Sequence, residues 1–260
     1  MAKTALVTGA SSGIGEAFAR ALAERGFNLV LLARRGDRLD TLAAELHARS
    51  GVNIDVLPCD LTENNAFQQI ETHLTQQSLT IDLLVNNAGM GLHGAFETQR
   101  AEDDERMIQL NIVALTRMTR CIVPGMVQRQ RGTVIFVAST AAFQSIPYFA
   151  IYAATKAYVL SFAQALALEV GPKGILVQCL CPGPTRSEFS NHAKFQSDTI
   201  TRAPQQTAEQ VVSESLAAVE RRAHVVVTGS INRWGTLFSS LLPRSMAARI
   251  SGLLFTPRQN

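Results

Sequence analysis

The sequence predicts a doubly wound α/β fold, with a parallel sheet of about seven strands and helices on both faces, in a single domain. Two observations carry this. Short β-branched apolar runs alternate with longer segments of helical period, and the runs are almost continuously hydrophobic, as strands buried on both faces are. The 260 residues are 47% hydrophobic and only 17% charged, which is enough apolar content for one large core.

The strand-like runs span 4–8, 28–33, 53–58, 81–85, 133–138, 175–180 and 224–227. Between them, helical period marks 16–25, which stops at Gly26, and 37–49, which stops before Gly51; glycine is a common helix terminator. Further helices are expected over 63–77, 101–129, 151–170 and 207–222. Strand followed by helix, about six times over, is the pattern of a doubly wound sheet. No linker or repeat divides residues 1–260. Two regions escape the alternation. Residues 184–207 are polar and long for a loop, and are expected to be a substrate loop. The tail, 231–260, sets Trp234, Leu237, Phe238, Leu241, Leu242, Ile250, Leu253, Leu254 and Phe255 among arginines. It is read as a lid or subunit contact ahead of a membrane-surface element.

Several function classes fall away. The formal charge of +3 has only Arg34-Arg35 and Arg221-Arg222 as tight basic pairs, so no nucleic-acid partner is expected. Cys59, Cys121, Cys179 and Cys181 match neither zinc-ligand nor CxxC spacing. They read as small core residues in a reducing compartment, with Cys179 and Cys181 taken to point to opposite faces of their strand, and no metal is expected. The first strand begins at Thr4, and no 18 apolar residues run uninterrupted. Neither a signal peptide nor a spanning helix is expected, and the cytoplasm is the default location.

Directly after the first strand comes Thr8-Gly9-Ala10-Ser11-Ser12-Gly13-Ile14-Gly15, then a helix. Glycine lets the main chain turn sharply and approach a pyrophosphate, while N–H groups and dipole at a helix start favour an anion. A mere tight turn is the plainer reading. The second strand ends Ala33-Arg34-Arg35, with no carboxylate for a ribose 2′-hydroxyl. Two guanidiniums favour the 2′-phosphate of NADP over NAD, although Asp37 lies close enough to compete.

Ser139 ends the fifth strand, and Tyr152 and Lys156 follow four residues apart on a helix, projecting from one face. A phenol is a poor proton-transfer group at neutral pH. An adjacent ammonium and an oxidised nicotinamide are expected to lower its pKa, with Ser139 steadying the substrate oxygen beside it. Alone, the Tyr–Lys pair is weak evidence, and Ser139 has a second reading as a helix cap.

In their order along the chain, these motifs resemble the short-chain dehydrogenase/reductase family over essentially the whole length. The loop from Thr8 to Gly15 matches the family's TGxxxGxG, Asn86-Asn87-Ala88-Gly89 its NNAG, and Pro182-Gly183 its PG turn. Asn111, Ser139, Tyr152 and Lys156 match its active-site set. The resemblance implies a Rossmann-type domain and hydride transfer between a nicotinamide and a ketone or secondary alcohol. Tyr152 would exchange the proton, Lys156 would tune it and bind ribose, and Ser139 would position the carbonyl. Asn111 would bend its helix and help hold a proton-relay water. Gly9, Ser11, Ser12, Gly13, Ile14, Gly15, Arg34, Arg35, Asp60, Leu61, Asn87, Ala88, Gly89, Pro182, Gly183, Thr185 and Ser187 would contact the cofactor, with Tyr152 and Lys156. Ser187 departs from the family's usual Thr, losing a methyl. Each position also has a plain reading (turn, cap, buried polar group or chain break), but not all of them in this order.

The resemblance extends, more loosely, to an NADP-using branch of 3-oxoacyl and related ketone reductases; sterol, sugar and xenobiotic ketones stay open. Phe143, Phe149, Phe189 and Phe195 are expected near the pocket mouth, suggesting an apolar small-molecule substrate. A non-catalytic NADP-binding sensor is the alternative from another class, disfavoured by the intact acid–base set. Family members pair through the helices expected here over 101–129 and 151–170, so a homodimer or homotetramer is implied.

Overall fold

In the computed structural model, which describes residues 2–189 and 205–256, seven strands form one parallel sheet in the order β3-β2-β1-β4-β5-β6-β9. They are β1 (Thr4–Thr8), β2 (Asn28–Ala33), β3 (Ile54–Pro58), β4 (Ile81–Asn86), β5 (Gly132–Val137), β6 (Ile175–Cys181) and β9 (Val225–Val227). Every pairing is parallel, and each strand lies within a residue or two of its expected span.

Continuous hydrophobicity feeds two cores. On β1, Leu6 packs to one side while Ala5 and Val7 pack to the other; on β5, Val134 and Phe136 oppose Ile135 and Val137. One layer holds α1 (Gly13–Glu24), α2 (Gly36–Ser50) and α7 (Ala208–Glu220), through Phe18, Leu22, Leu39, Leu46, Val211 and Leu216. The other holds α3 (Ala66–Gln76), α5 (Leu115–Gln128) and α6 (Ala150–Val170), through Phe67, Ile70, Met118, Ile122 and Val159. A capping box at Thr207 starts α7: Gln210 N–H donates to its hydroxyl, and its own N–H donates to the Gln210 side chain.

Strand order reverses direction between β1 and β4, and in such sheets ligands bind beyond the strand ends at that point. The loops after β1, β4 and β5 therefore meet at one edge.

Three expectations need correction, and one further observation bears on a fourth. The helix read over 101–129 is α4 (Ala101–Ile108), a π-helical turn at Gln109–Ala114, and then α5. The turn contains Asn111, whose amide is committed to backbone and side chain outside its own helix. The loop read over 184–207 is tied at its ends: β7 (Thr185–Arg186) pairs in parallel with β8 (Gln206–Thr207). Cys179 and Cys181 share one face, their sulfurs 3.8 Å apart, because residues two apart on a strand point the same way. Finally, α6 with the turn after it, Ala150–Lys173, is long and apolar enough by length and composition to cross a membrane. Its uninterrupted apolar runs are short, so the run count did not mark it, and here it packs against β6 and the π turn.

The tail forms two helices, α8 (Ser230–Leu241) and α9 (Arg244–Phe255).

Candidate active site

The loop after β1 is built around glycines that nothing larger replaces. Gly9 has φ +68°, and a side chain there would run into the Asn87 amide and Ala88 backbone. Gly15 lies beneath the loop, where a Cβ would collide with the Gly9 carbonyl. Thr8 pins this loop to the one after β4: its hydroxyl donates to Val85 O and accepts from the N–H groups of Asn87 and Ala88. Asn87 returns the contact by donating Nδ2 to Thr8 O at 2.9 Å. Ser12 precedes α1 without capping it, so the N–H groups of the first helical turn keep their capacity for an anion.

Beside the loop lies the arginine cluster. Arg35 donates to Ser11 Oγ at 3.1 Å and Ser12 Oγ at 2.9 Å. It also donates to Glu188 at 2.9 Å, and Arg38 donates to the other oxygen of Glu188 at 2.7 Å. These two guanidiniums, Arg38 foremost, hold the Glu188 carboxyl down at about 2. Arg34 approaches Asp60 at 4.0 Å, and Arg106 donates to it at 2.8 Å. Ala33 brings no carboxylate to the end of β2. This donor set fits a dinucleotide bearing a 2′-phosphate: an uncapped helix start for the pyrophosphate, and arginine with serine hydroxyls for the extra charge.

At the other end, Ser139 follows β5 and starts a 3₁₀ turn, its Oγ accepting from Ala141 N–H at 3.1 Å. The cap reading is thus correct, and Ser139 still faces the cleft. Tyr152 and Lys156 come from the first turns of α6, both buried. Lys156 Nζ donates to Val137 O at 2.8 Å and stands 5.7 Å from the centre of the Tyr152 ring. Phe149 and Phe189 pack on that ring, with centroids at 4.4 and 5.6 Å. Asn111 clamps Met90 from both sides, accepting from its N–H at 2.9 Å and donating to its carbonyl at 2.8 Å, and donates to Thr155 at 3.0 Å.

The expected depression of the tyrosine pKa is not what the protein's own groups produce. Burial pushes Tyr152 up to about 12, and a hydrogen bond with Ser139 offsets only part of that. Burial likewise pulls Lys156 down to about 8. Desolvation penalises both charged forms and is the largest cause of each shift.

Most of these groups line one cleft of about 520 Å³. It gathers Gly9, Ser11, Ser12, Gly13, Ile14, Arg34, Arg35, Asp60, Leu61, Asn87, Ala88, Gly89, Ser139, Tyr152, Lys156, Pro182, Gly183, Thr185 and Ser187. Two expected site residues stand behind the wall: Gly15, packed under the loop, and Asn111, one layer back where it holds Met90. Phe149 and Phe189 line the cleft, whereas Phe143 packs against the core instead. Phe195 lies outside the described residues. Met90, Ile146, Glu188 and Phe255 also line the cleft and were not foreseen. No motif marks them; only Glu188, an acid two residues beyond Arg186, offered a charge signal. Phe255 belongs to α9, and its carbonyl lies 2.8 Å from His93 Nε2, so the tail reaches the cleft.

The sequence model for short chain dehydrogenases matches residues 3–198. The chain belongs to the short-chain dehydrogenase family. Mouse 17-beta-hydroxysteroid dehydrogenase type 3 is 31% identical over 98% of this chain and 84% of its own length. Mouse very-long-chain 3-oxoacyl-CoA reductase is 30% identical over 95% and 77%. A short-chain dehydrogenase from Sphingobium yanoikuyae, solved in complex with NADPH, is 37% identical over 99% of this chain and 97% of its own, with a TM-score of 0.83. This member of the short-chain dehydrogenases is thus an oxidoreductase acting on CH–OH and C=O groups.

Proposed function

We propose that this short-chain dehydrogenase is an NADPH-dependent reductase of ketones carried on a large apolar body, with Tyr152 as the proton donor. One observation carries the reading: Ser139, Tyr152 and Lys156 converge on the wall of a cleft whose other end is lined by the phosphate loop and Arg35. The relative solved with NADPH supports the cofactor. The names of the two mouse relatives point to a steroid and a very-long-chain acyl thioester, each placing a carbonyl on a large apolar skeleton.

The phosphate loop, Arg35 and Asp60 would hold the dinucleotide, which supplies the hydride when bound. The remaining work falls to the chain. Ser139 Oγ and Tyr152 Oη donate to the carbonyl oxygen and orient it, and the Tyr152 proton passes to that oxygen as charge develops. With a pKa near 12, the phenol keeps its proton throughout the neutral range, as a donor in the reductive direction must. Lys156 places its ammonium behind the ring and stabilises the phenolate left behind. Phe149 and Phe189 exclude water from the transfer. Asn111 fixes the Met90 backbone and Thr155 beside this group.

Oxidation of NADPH is the test, measured with a steroid ketone, an aryl ketone, a 3-oxoacyl thioester and a sugar ketone. Apolar ketones should exceed the sugar at least tenfold in kcat/KM. If no carbonyl accelerates NADPH oxidation above background, the reading fails. Preference for the thioester would establish the second reading, which the oxoacyl-CoA reductase relative favours.

A further inference from the structure

α8 is turned inside out. Its polar residues Asn232, Thr236 and Ser239 are the half-buried ones, each bonding to carbonyls of its own or the preceding turn. Its large apolar residues Ile231, Trp234, Leu237, Phe238 and Leu241 all face outward, with Trp234 72%, Phe238 64% and Leu241 75% exposed. At about 100° per residue they form one stripe about 120° wide, the width normally pressed onto a core. α9 continues the pattern. Ala247 and Ser251 are buried, while Met246, Ile250 and Leu253 are exposed on the face that also carries exposed Arg249.

Charge is divided as sharply. Residues 1–230 hold 20 basic and 21 acidic side chains, whereas the tail, 231–260, holds four arginines and no acidic residue. The formal +3 is therefore the difference between a slightly acidic body and a strongly basic tail, not the even spread that the tight pairs alone suggest. Among the described residues, the acid that meets a tail arginine is Glu214, which pairs with Arg233 at 3.3 Å.

We propose that the α8–α9 face docks the protein onto the surface of an anionic lipid bilayer. An exposed aromatic and aliphatic stripe inserts at the headgroup boundary, and arginines with long apolar stems beside it contact lipid phosphates. A second copy of the chain is the competing occupant. A twofold contact would bring two arginine-only tails together without a matching acid, which the charge disfavours. Because Phe255 of α9 lines the cleft, the docked face lies next to its apolar end. The proposal does not depend on which substrate is reduced.

Trp234 is the only tryptophan in the chain, so its emission reports the stripe directly. The full-length protein is titrated with phosphatidylcholine vesicles, with and without phosphatidylglycerol, and followed by fluorescence and co-sedimentation. Expected are a blue shift and pelleting with phosphatidylglycerol only, reversed by high salt. The doubly substituted Phe238→Glu, Leu241→Glu protein should bind at least tenfold more weakly and keep its native circular dichroism. Unchanged emission with anionic vesicles overturns the proposal, as does equal vesicle binding by the double variant. It is equally overturned if emission is already blue without lipid and sedimentation mass falls in the double variant, which would assign the stripe to a contact between copies.

Discussion

The ammonium of Lys156 stands 5.7 Å from the centre of the Tyr152 ring, and both residues are buried. Burial moves their titrations in opposite directions, the lysine down to about 8 and the phenol up to about 12. In the neutral range the phenol stays protonated and the lysine is close to losing its charge. On the proposed function, Lys156 rather than Tyr152 is therefore the group whose titration would limit activity over accessible pH.

The pH profile should show this. kcat/KM for NADPH, which reports the free enzyme, should be level near pH 7 and fall above about pH 8 as Lys156 loses its proton. A profile level to pH 9.5 would separate Lys156 from the alkaline limb.

Stability should carry the same signature. A base whose folded pKa is depressed disfavours folding below that pKa, and the penalty fades as pH rises from about 8 to 10.5, where the unfolded chain binds more protons. Tyr152 acts oppositely, and only between about 10 and 12. Lys156→Met should therefore be more stable than the native protein at pH 7, on the order of 1–3 kcal/mol, with the gap narrowing by pH 10. Urea unfolding at the two pH values checks it, and a pH-independent difference would refute it.

Glu188 and the 2′-phosphate would compete for Arg35. Glu188→Gln should lower the KM for NADPH by roughly two- to tenfold and leave that for NADH within twofold, since removing the carboxylate frees a guanidinium that only NADPH uses. Arg35→Ala should raise the KM for NADPH at least tenfold. Steady-state kinetics with both cofactors decide, and parallel changes for NADH and NADPH would contradict the assignment of Arg35.

Gly15→Ala should lower Tm and NADPH affinity together, because the added carbon meets the Gly9 carbonyl and the Asn87 amide. The cost should be about 2–3 kcal/mol. Gly171, with φ −56° and open space where a Cβ would stand, provides the control: Gly171→Ala should be close to neutral. Thermal denaturation of the two variants makes the comparison.

What was legible in the sequence was whatever repeats in a fixed local pattern. Continuous apolar runs such as 175–180 located the strands, because burial on both faces demands it. Gly9, Gly13, Tyr152 and Lys156 were legible because their spacing is set by a turn or a helix. The π turn at Asn111 was not legible in the periodicity, which runs through 101–129; only the family resemblance placed a bend there, where the Asn111 amide makes its bonds to Met90 and Thr155. Glu188 and Phe255 were missed for a similar reason: tertiary packing brings them to the cleft from segments with no motif of their own. For the tyrosine pKa, adjacency to a lysine can be read from spacing, whereas the opposing desolvation of both groups appears only once their burial is known.

The most direct test of the proton-donor claim is single-turnover oxidation of bound NADPH by an apolar ketone, native protein against Tyr152→Phe, with NADPH affinity measured alongside. The account predicts affinity within about threefold and a rate at least 10²–10⁴-fold lower. Turnover by the Phe variant within tenfold of native, with NADPH still bound, would contradict it.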